Sequence, residues 1–505
     1  MEIIDHFVLG FGVAMSLQNL AYCFLGVLLG TLIGVLPGVG PLVTISMLLP
    51  VTFGLPPVSA VIMLSGIYYG AQYGGSTTAI LVNLPGETSS AVTCLDGYQM
   101  ARRGRAGAAL AIAALSSFVA GCIGTLLIVA LGVPLAGWAL RFGAEDYFAL
   151  MVLGLVAASV LSHGDMVKAL AMVVVGLLIG LVGTDVNSGV ERYTFGLPEL
   201  ADGIGFTVLA VGIFAISEVV TNLEQKEARE VFTRNVGGLM PRWSDLKTSF
   251  LPTLRGTAIG SFFGILPGTG PSISSFSAYM LEKKLAKDPS RFGQGAIEGV
   301  AAPEAANNAA AQTAFIPTLT LGIPGSATMA LILGALIMNG VQPGPTVMAR
   351  NPELFWGVIA SMFIGNALLV ALNLPLVGIW VRLLSIPYRW LFPAIVMFCA
   401  LGNYSLNNSA IDVYLCAAIG VLGYVLAKLK CPPAPLVLGY VLGPMMEENI
   451  RRALLLSEGD LSIFVKSPIS LTFLTLSLLL LVSMALPAIR RGKARVDQEE
   501  EAGAT

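Results

Sequence analysis

Charge is what this sequence has least of. Asp, Glu, Lys and Arg make up only 11% of its 505 residues, against about 25% in soluble domains. Residues 1–101 contain no lysine or arginine at all. With 55% hydrophobic residues and a mean hydropathy of +0.81, a soluble globular chain and a nucleic-acid-binding surface are excluded. The net charge of -2 points to no strongly charged partner. Histidine is nearly absent: His6 and His163 alone make no histidine metal site. The six cysteines have no paired metal-ligand spacing and lie mostly in apolar runs, so they read as small buried hydrophobes. No Walker A lysine motif, nucleophile elbow or HExxH occurs, which leaves ATP-driven transport and hydrolase chemistry without support. The N-terminus, MEIIDHF, lacks the basic n-region of a cleavable signal peptide, so the first span is expected to be retained.

What remains is a chain of apolar runs, many of them interrupted. Ala21–Leu36 belongs to a first span of about 20 residues. It ends in GVLPGVGP (34–41). A short piece, Leu42–Phe53, precedes Leu55-Pro-Pro57. The helix-like run Val58–Tyr73 leads to Gly74-Gly-Ser-Thr-Thr78, another short piece, and Asn83-Leu-Pro-Gly-Glu87. Pieces this short do not cross a bilayer as helices, so re-entrant or discontinuous helices are expected. The basic cluster Arg102–Arg105 should face the cytoplasm. Ordinary spans are expected near 106–137, 147–162, 166–183 and 204–222, then near 354–384, 389–402, 410–427, 434–446 and 468–488. The basic run Arg490–Arg495 argues for a cytoplasmic C-terminus. The expected class is an all-α polytopic membrane protein with roughly 10–14 membrane segments. Its expected parts are a first half (1–223), a cytoplasmic connecting loop (224–249), a second half (250–489) and a disordered cytoplasmic tail (490–505).

The halves repeat. GVLPGVGP (34–41) and GILPGTGP (264–271) share six of eight residues at an offset of 230. The Pro-Gly pairs at Pro85 and Pro324 align at an offset of 239. That second offset carries the polar face Glu304, Asn307, Asn308 and Ala311 onto Ser65, Tyr68, Tyr69 and Gln72, at the same helical spacing. The basic clusters Arg102–Arg105 and Lys283–Arg291 stand at non-corresponding points of the two copies, as inverted topology requires. Two inverted repeats with broken helices are a secondary-transporter architecture, with substrate held near the midplane.

The broken segments supply the chemistry. Half-helix N-termini offer N–H groups and positive dipole ends to an anion, and unwound carbonyls offer ligands to a cation. Gly38, Gly40, Gly268 and Gly270 permit close backbone approach. Ser76, Thr77, Thr78, Asn83, Thr88, Ser89, Asn307, Asn308, Ser326 and Thr328 add neutral hydrogen bonds. These glycines could equally serve helix packing, and the hydroxyls could satisfy freed backbone groups. Glu304 is costly in a membrane unless paired or hydrated. It reads either as a cation ligand or proton carrier, or as a prop bonded to unwound backbone. Glu298 reads as a structural partner of the Lys283–Arg291 loop. The helix beginning near Pro303 is expected to stop at Ile316-Pro317.

GVLPGVGP, YYGAQYGGSTTAILVNLPGE, LDGYQMARRGRAG, GILPGTGP, FGQGAIEGVAAPEAANNAA and LGIPGS, in that order, resemble the large membrane subunit of the tripartite tricarboxylate transporter family, TctA. The resemblance runs over roughly residues 15–485. It implies a bacterial inner-membrane carrier for tricarboxylates or other organic acids. A small TctB-like membrane subunit and a periplasmic TctC-like binding protein would be its partners. The driving force would be an Na+ or H+ gradient, with no tightly bound cofactor. The family's motif residues fall here on Gly38, Gly40, Gly74, Gly75, Asn83, Pro85, Gly86, Gly268, Gly270, Glu304, Asn307, Asn308, Pro324 and Gly325. If the ion is sodium, its expected place is near Gly38, Gly268, Glu304 and Asn308. Thr313 stands where the family would have a glycine. A carrier independent of a binding protein remains a second reading, and a channel or structural scaffold a third; an intramembrane enzyme has no readable nucleophile or metal set.

Overall fold

The structure, a computed structural model, describes residues 2–36, 39–160, 165–185, 187–224, 238–266, 268–384 and 388–483. Among them the chain is helical almost throughout; its β structure is one pairing of Gly183–Thr184 with Glu191–Arg192. Helices Leu17–Gly34, Ala106–Ala139, Phe206–Glu224, Pro352–Asn373 and Ala410–Lys428 are long and apolar enough to cross a bilayer. Shorter apolar helices, including Pro41–Thr52, Met166–Gly180 and Ala327–Met338, lie among them. The chain is thus an all-α, multi-pass membrane protein. The C-terminal tail and most of the connecting loop fall outside the described residues.

Eight helices position the site. They are α1 (Leu17–Gly34), α2 (Pro41–Thr52), α3 (Pro57–Val82), α4 (Ala106–Ala139), α5 (Trp243–Ile265), α6 (Gly270–Leu285), α7 (Glu298–Thr313) and α8 (Ala327–Met338). α3 is buried from Ser59 through Leu81 and α7 from Gly299 through Thr313. Helices enclosed on every side are central ones, and each has a glycine-faced partner. A Cβ on Gly26, Gly30 or Gly34 of α1 would collide with the carbonyls of Met63, Ile67 and Ala71 on α3. A Cβ on Gly256, Gly260 or Gly264 of α5 would collide with those of Ala302, Ala306 and Ala310 on α7. The glycines of the two ladders are related by 230 and the carbonyls by 239, the offsets already read from the motifs. Small residues let backbones approach, which is how helices associate where burial from water supplies little drive.

Two expected breaks are absent. Gly74-Gly-Ser-Thr-Thr78 does not interrupt α3, which runs unbroken for 26 residues. No proline falls inside it, and both glycines are used in packing: Gly74 against Gly34 and Val35 of α1, Gly75 against Gly86. Nor does Ile316-Pro317 end the helical path. After α7 a single turn residue, Ala314, leads into the helix Phe315–Thr320. Pro317 sits in its first turn, where no N–H is needed. The path breaks only at Leu321–Ser326. The expected span near 434–446 is longer than read, continuing as Pro433–Leu456.

The connection after Met166–Gly180 is tied down by charge. Asp185 accepts from the Asn187 N–H, Ser188 Oγ and Arg451 Nη2 at 3.0, 2.9 and 2.9 Å. The Asn187 N–H first, with Ser188 and Arg451, holds this carboxyl down at about 2. Glu298 meets Arg291 at 3.0 Å, so it partners the preceding basic loop as expected. All six cysteines are free; Cys122 and Cys431 are half-buried and the other four buried.

The glycine ladders generate a stability test. Gly30→Val and Gly260→Val should each cost about 3 kcal/mol or more through overpacking against backbone, read as a lowered Tm or lost folded yield in detergent. Gly12, with nothing within 4 Å of its would-be Cβ, should accept valine with little change.

Candidate functional site

α3 ends at Asn83, whose backbone is left-handed (φ 60). In the second copy the corresponding turn is made by Gly322 (φ 73). Each is followed by a Pro-Gly pair and an extended residue that starts the next helical turn. Glu87 (φ -144, ψ 167) opens Thr88–Ser90, and Ser326 (φ -154, ψ 169) opens α8, its Oγ accepting from the Met329 N–H at 3.2 Å. Gly86 lies against Gly75 and the Gly34 carbonyl; Gly325 lies against Ala314 and the Gly264 carbonyl. The two tips are the same structure built twice.

Between them lies a cavity of about 780 Å³. The N-terminus of α2 with its cap Gly40, that of α6 at Gly270, and that of α8 with its cap Ser326 all reach its wall. Such ends place N–H groups and positive dipole ends on a ligand. Hydroxyls of Thr88, Thr269, Ser272 and Thr328 add to the lining, and among the described residues the buried Tyr68 phenol there has no hydrogen-bond partner. Among the described residues no lysine, arginine or histidine lines the cavity, whereas Glu87 and Glu218 do. This chemistry suits a small carboxylate bound by backbone and hydroxyl groups. Thr88 and Ser272, one from each half, meet at 2.6 Å.

Behind the cavity α3 and α7 share a buried polar layer. Ser76 Oγ donates to Glu304 Oε2 at 2.8 Å, and Thr93 Oγ1 donates to Oε1 at 2.5 Å. Asn308 Nδ2 donates to Ser117 Oγ on α4 at 2.7 Å and to the Glu304 carbonyl at 3.1 Å. Asn307 Nδ2 donates to Glu87 Oε1 at 3.1 Å, while its Oδ1 accepts from Gln72 Nε2 at 3.3 Å. The second copy's polar face therefore bonds the first half through Gln72 of the matching face and through Ser76, Glu87, Thr93 and Ser117 outside it. Glu304 is bonded to side-chain hydroxyls and props no unwound backbone. Asp96, just after this layer, is wholly buried: Oδ1 accepts the N–H groups of Gly293, Gly295 and Ala296 at 2.9, 2.7 and 2.7 Å, and Oδ2 the Tyr279 hydroxyl at 2.9 Å.

The expected site residues thus divide between two places. Gly40, Pro85, Gly86, Thr88, Gly268, Gly270, Ser326 and Thr328 line the cavity. Ser76, Thr77 and Glu304 line a separate pocket of about 20 Å³, and Asn307 and Asn308 belong to the polar layer beside it. Thr78 Oγ1 satisfies the Val35 carbonyl at 2.6 Å, and Asn83 shapes the turn. Pro324 lies in that second turn, while the Gly325 carbonyl accepts the Gly268 N–H at 2.9 Å. Gly38 lies outside the described residues. Gly268 and Glu304, paired in the sodium expectation, face different pockets. Among the described residues no three His, Cys, Asp or Glu side chains group as metal ligands. Tyr68, on the polar face read from the sequence, lines the cavity; Glu87 stands beside the Pro-Gly pair and is an addition to the expected site residues. Glu218 had a signal too, as a carboxylate inside an apolar span.

The profile of the family described as "Tripartite tricarboxylate transporter TctA family" matches residues 20–438. The chain belongs to that family. TctA is a family of transporters and not of enzymes. It is 56% identical over 501 residues to an Agrobacterium vitis protein described as "Uncharacterized 52.8 kDa protein in TAR-I ttuC' 3'region", covering 99% of this chain and 100% of that one. A second Agrobacterium vitis protein, "Uncharacterized protein in TAR-II ttuC' 3'region", is 56% identical over 242 residues, 48% of this chain and 100% of its own length. No solved structure matches.

The meeting of the first tip with α6 at Thr88 and Ser272 can be tested by cross-linking. In a background without native cysteines, Thr88→Cys with Ser272→Cys should form a disulfide under mild oxidation, seen as a reducible gel shift. Either cysteine alone should give none. A folded double variant that does not cross-link would separate that tip from α6.

Proposed function

We propose that this chain is the permease subunit of a tripartite, ion-gradient-driven secondary transporter importing tricarboxylates or related organic acids across the bacterial inner membrane. One observation carries the reading: a cavity whose wall is assembled from the Pro-Gly tips and helix N-termini of both halves, with no basic side chain among its described residues. Helix ends and hydroxyls hold a carboxylate while allowing its release, as a carrier needs. The small TctB-like membrane subunit and the periplasmic TctC-like binding protein are the partners we assign, on family membership. The binding protein supplies capture at low substrate concentration. In proteoliposomes, uptake of a panel of di- and tricarboxylates should rise at least tenfold when both partners are added, and should saturate with substrate. Rapid high-affinity uptake by this subunit alone would favour an independent carrier, non-saturating flux a channel, and no flux under any condition a scaffold.

The two halves are, in this reading, inverted copies that rock about the cavity. The repeated ladders and tips support duplication, and the displaced basic clusters support inversion. In a background without native cysteines, single cysteines at Arg103 and Lys284 should label from the cytoplasm, and those at Leu55 and Pro343 from outside. Labelling of positions 103 and 343 from one side would leave the copies parallel.

A further inference from the structure

Glu304 is 2% exposed and forms no ion pair among the described residues. The groups that face it are uncharged or acidic. They are Tyr73 on α3, Cys94 beside Thr93, and Glu87 at the tip. On the α5–α6 side the charges of Arg255 and Glu282 are spent on each other at 2.5 Å. An isolated buried carboxylate without a counter-charge either takes a proton or takes a cation.

Its surroundings fit the proton. Ser76 Oγ has two acceptors within reach, Glu304 Oε2 at 2.8 Å and the Gln72 carbonyl at 3.2 Å. With Glu304 ionised, the serine proton points to Oε2. With Oε2 protonated, the carboxyl donates to Ser76 Oγ and the serine proton turns to the Gln72 carbonyl. Ser117 likewise stands 3.5 Å from both Oε2 and the Glu304 carbonyl. Neither state strands a donor or acceptor there, which is the condition for a buried group to change charge cheaply. A cation would find this cage badly arranged. The hydroxyl oxygens touch the carboxylate instead of standing apart around a common centre, and Asn308 turns its N–H groups inward. The adjoining pocket of about 20 Å³ has room for one water, which needs about 10–15 Å³. It is lined by Thr77, Ser117 and Asn373 as well, and among the described residues Asn373 Oδ1 has no partner. Three residues along α7 from Glu304 the polar layer continues through Asn307 to Glu87 in the wall of the large cavity.

We propose that Glu304 is the coupling group of this carrier and that the coupling ion is the proton. Glu304 takes one proton from the pocket water, keeps it as a neutral carboxyl while the loaded protein crosses, and returns it to water on the other side. The proposal rests on the permease reading for its cycle, and the geometry of the cage carries the choice of ion.

The test uses the subunit co-reconstituted with its two partners. Wild-type uptake should follow an inside-alkaline pH gradient with sodium absent. Glu304→Gln should lose that stimulation at least tenfold while keeping slow downhill flux at high substrate. Thr93→Val, which removes a donor to the ionised form, should move the alkaline limb of the uptake–pH profile upward, and it serves where the glutamine variant does not fold. Infrared spectra of the purified subunit should show a protonated-carboxyl band that Glu304→Gln removes. Sodium-dependent uptake indifferent to the pH gradient, pH-driven uptake retained by Glu304→Gln, or an unmoved limb in Thr93→Val would overturn the proposal and leave the permease reading intact. Absence of wild-type uptake under every gradient would instead sink the permease reading, and the infrared band would still decide whether Glu304 carries a proton.

Discussion

Close approach of backbone to backbone is the constraint on which the rest of this structure depends. Within a bilayer, apolar side chains gain little by meeting each other, since lipid is as good a neighbour. The glycines of α1 and α5 replace that missing drive with direct helix-to-helix contact along a row of carbonyls. In the first copy α3 answers with its own glycines, Gly66, Gly70 and Gly74, against the backbone of α1. In the second copy the corresponding residues of α7 are Ala305, Ala309 and Thr313. The tips inherit this precision. Gly86 and Gly325 rest against the last carbonyls of their ladders, so the helix starts that face the cavity are set by contacts made well inside the protein.

Much of this arrangement was legible in the sequence because a duplicated chain supplies its own comparison. The offsets of 230 and 239 were readable from two Pro-Gly motifs, and the same offsets relate the ladders, the left-handed turns at Asn83 and Gly322, and the extended caps at Glu87 and Ser326. What did not show was the use to which a residue is put. A Gly-Gly-Ser-Thr-Thr run looks like a break, yet it stays helical, with neighbouring backbones docked against its consecutive residues Gly74 and Gly75. Pro317 looks like a stop, yet it falls in a first turn. Depth also escaped the sequence. Helical spacing put Tyr68 and Gln72 on one face, but only packing decides that Tyr68 reaches the cavity while Gln72 bonds Asn307.

The proposed anion site, with no basic residue among its described lining, has its own logic. A lysine or arginine would hold a carboxylate by full charge and, in a low-dielectric interior, hold it strongly. Partial charges at helix ends, fixed in direction and shared among α2, α6 and α8, attract the same group with less depth. Glu87 and Glu218 reduce it further by repulsion when ionised. In the proposed carrier, such shallow binding would permit turnover, with selectivity at low concentration left to the binding protein.

The buried carboxylate of Asp96 has a consequence for how the protein is made. Its three N–H donors lie on the loop at Gly293–Ala296, as many as 200 residues further along the chain. At about 5–20 residues per second of synthesis, roughly 10–40 s separate the emergence of Asp96 from that of its partners. Through that interval the first half is a folding intermediate with a carboxylate that has nowhere dry to go. It must stay at the aqueous boundary, and the segment around Thr93 that closes over Glu304 must wait with it. The first half therefore cannot finish alone: the buried Asp96 carboxylate is covered by residues of the second half, which makes assembly of the polar layer a late, concerted step of membrane insertion.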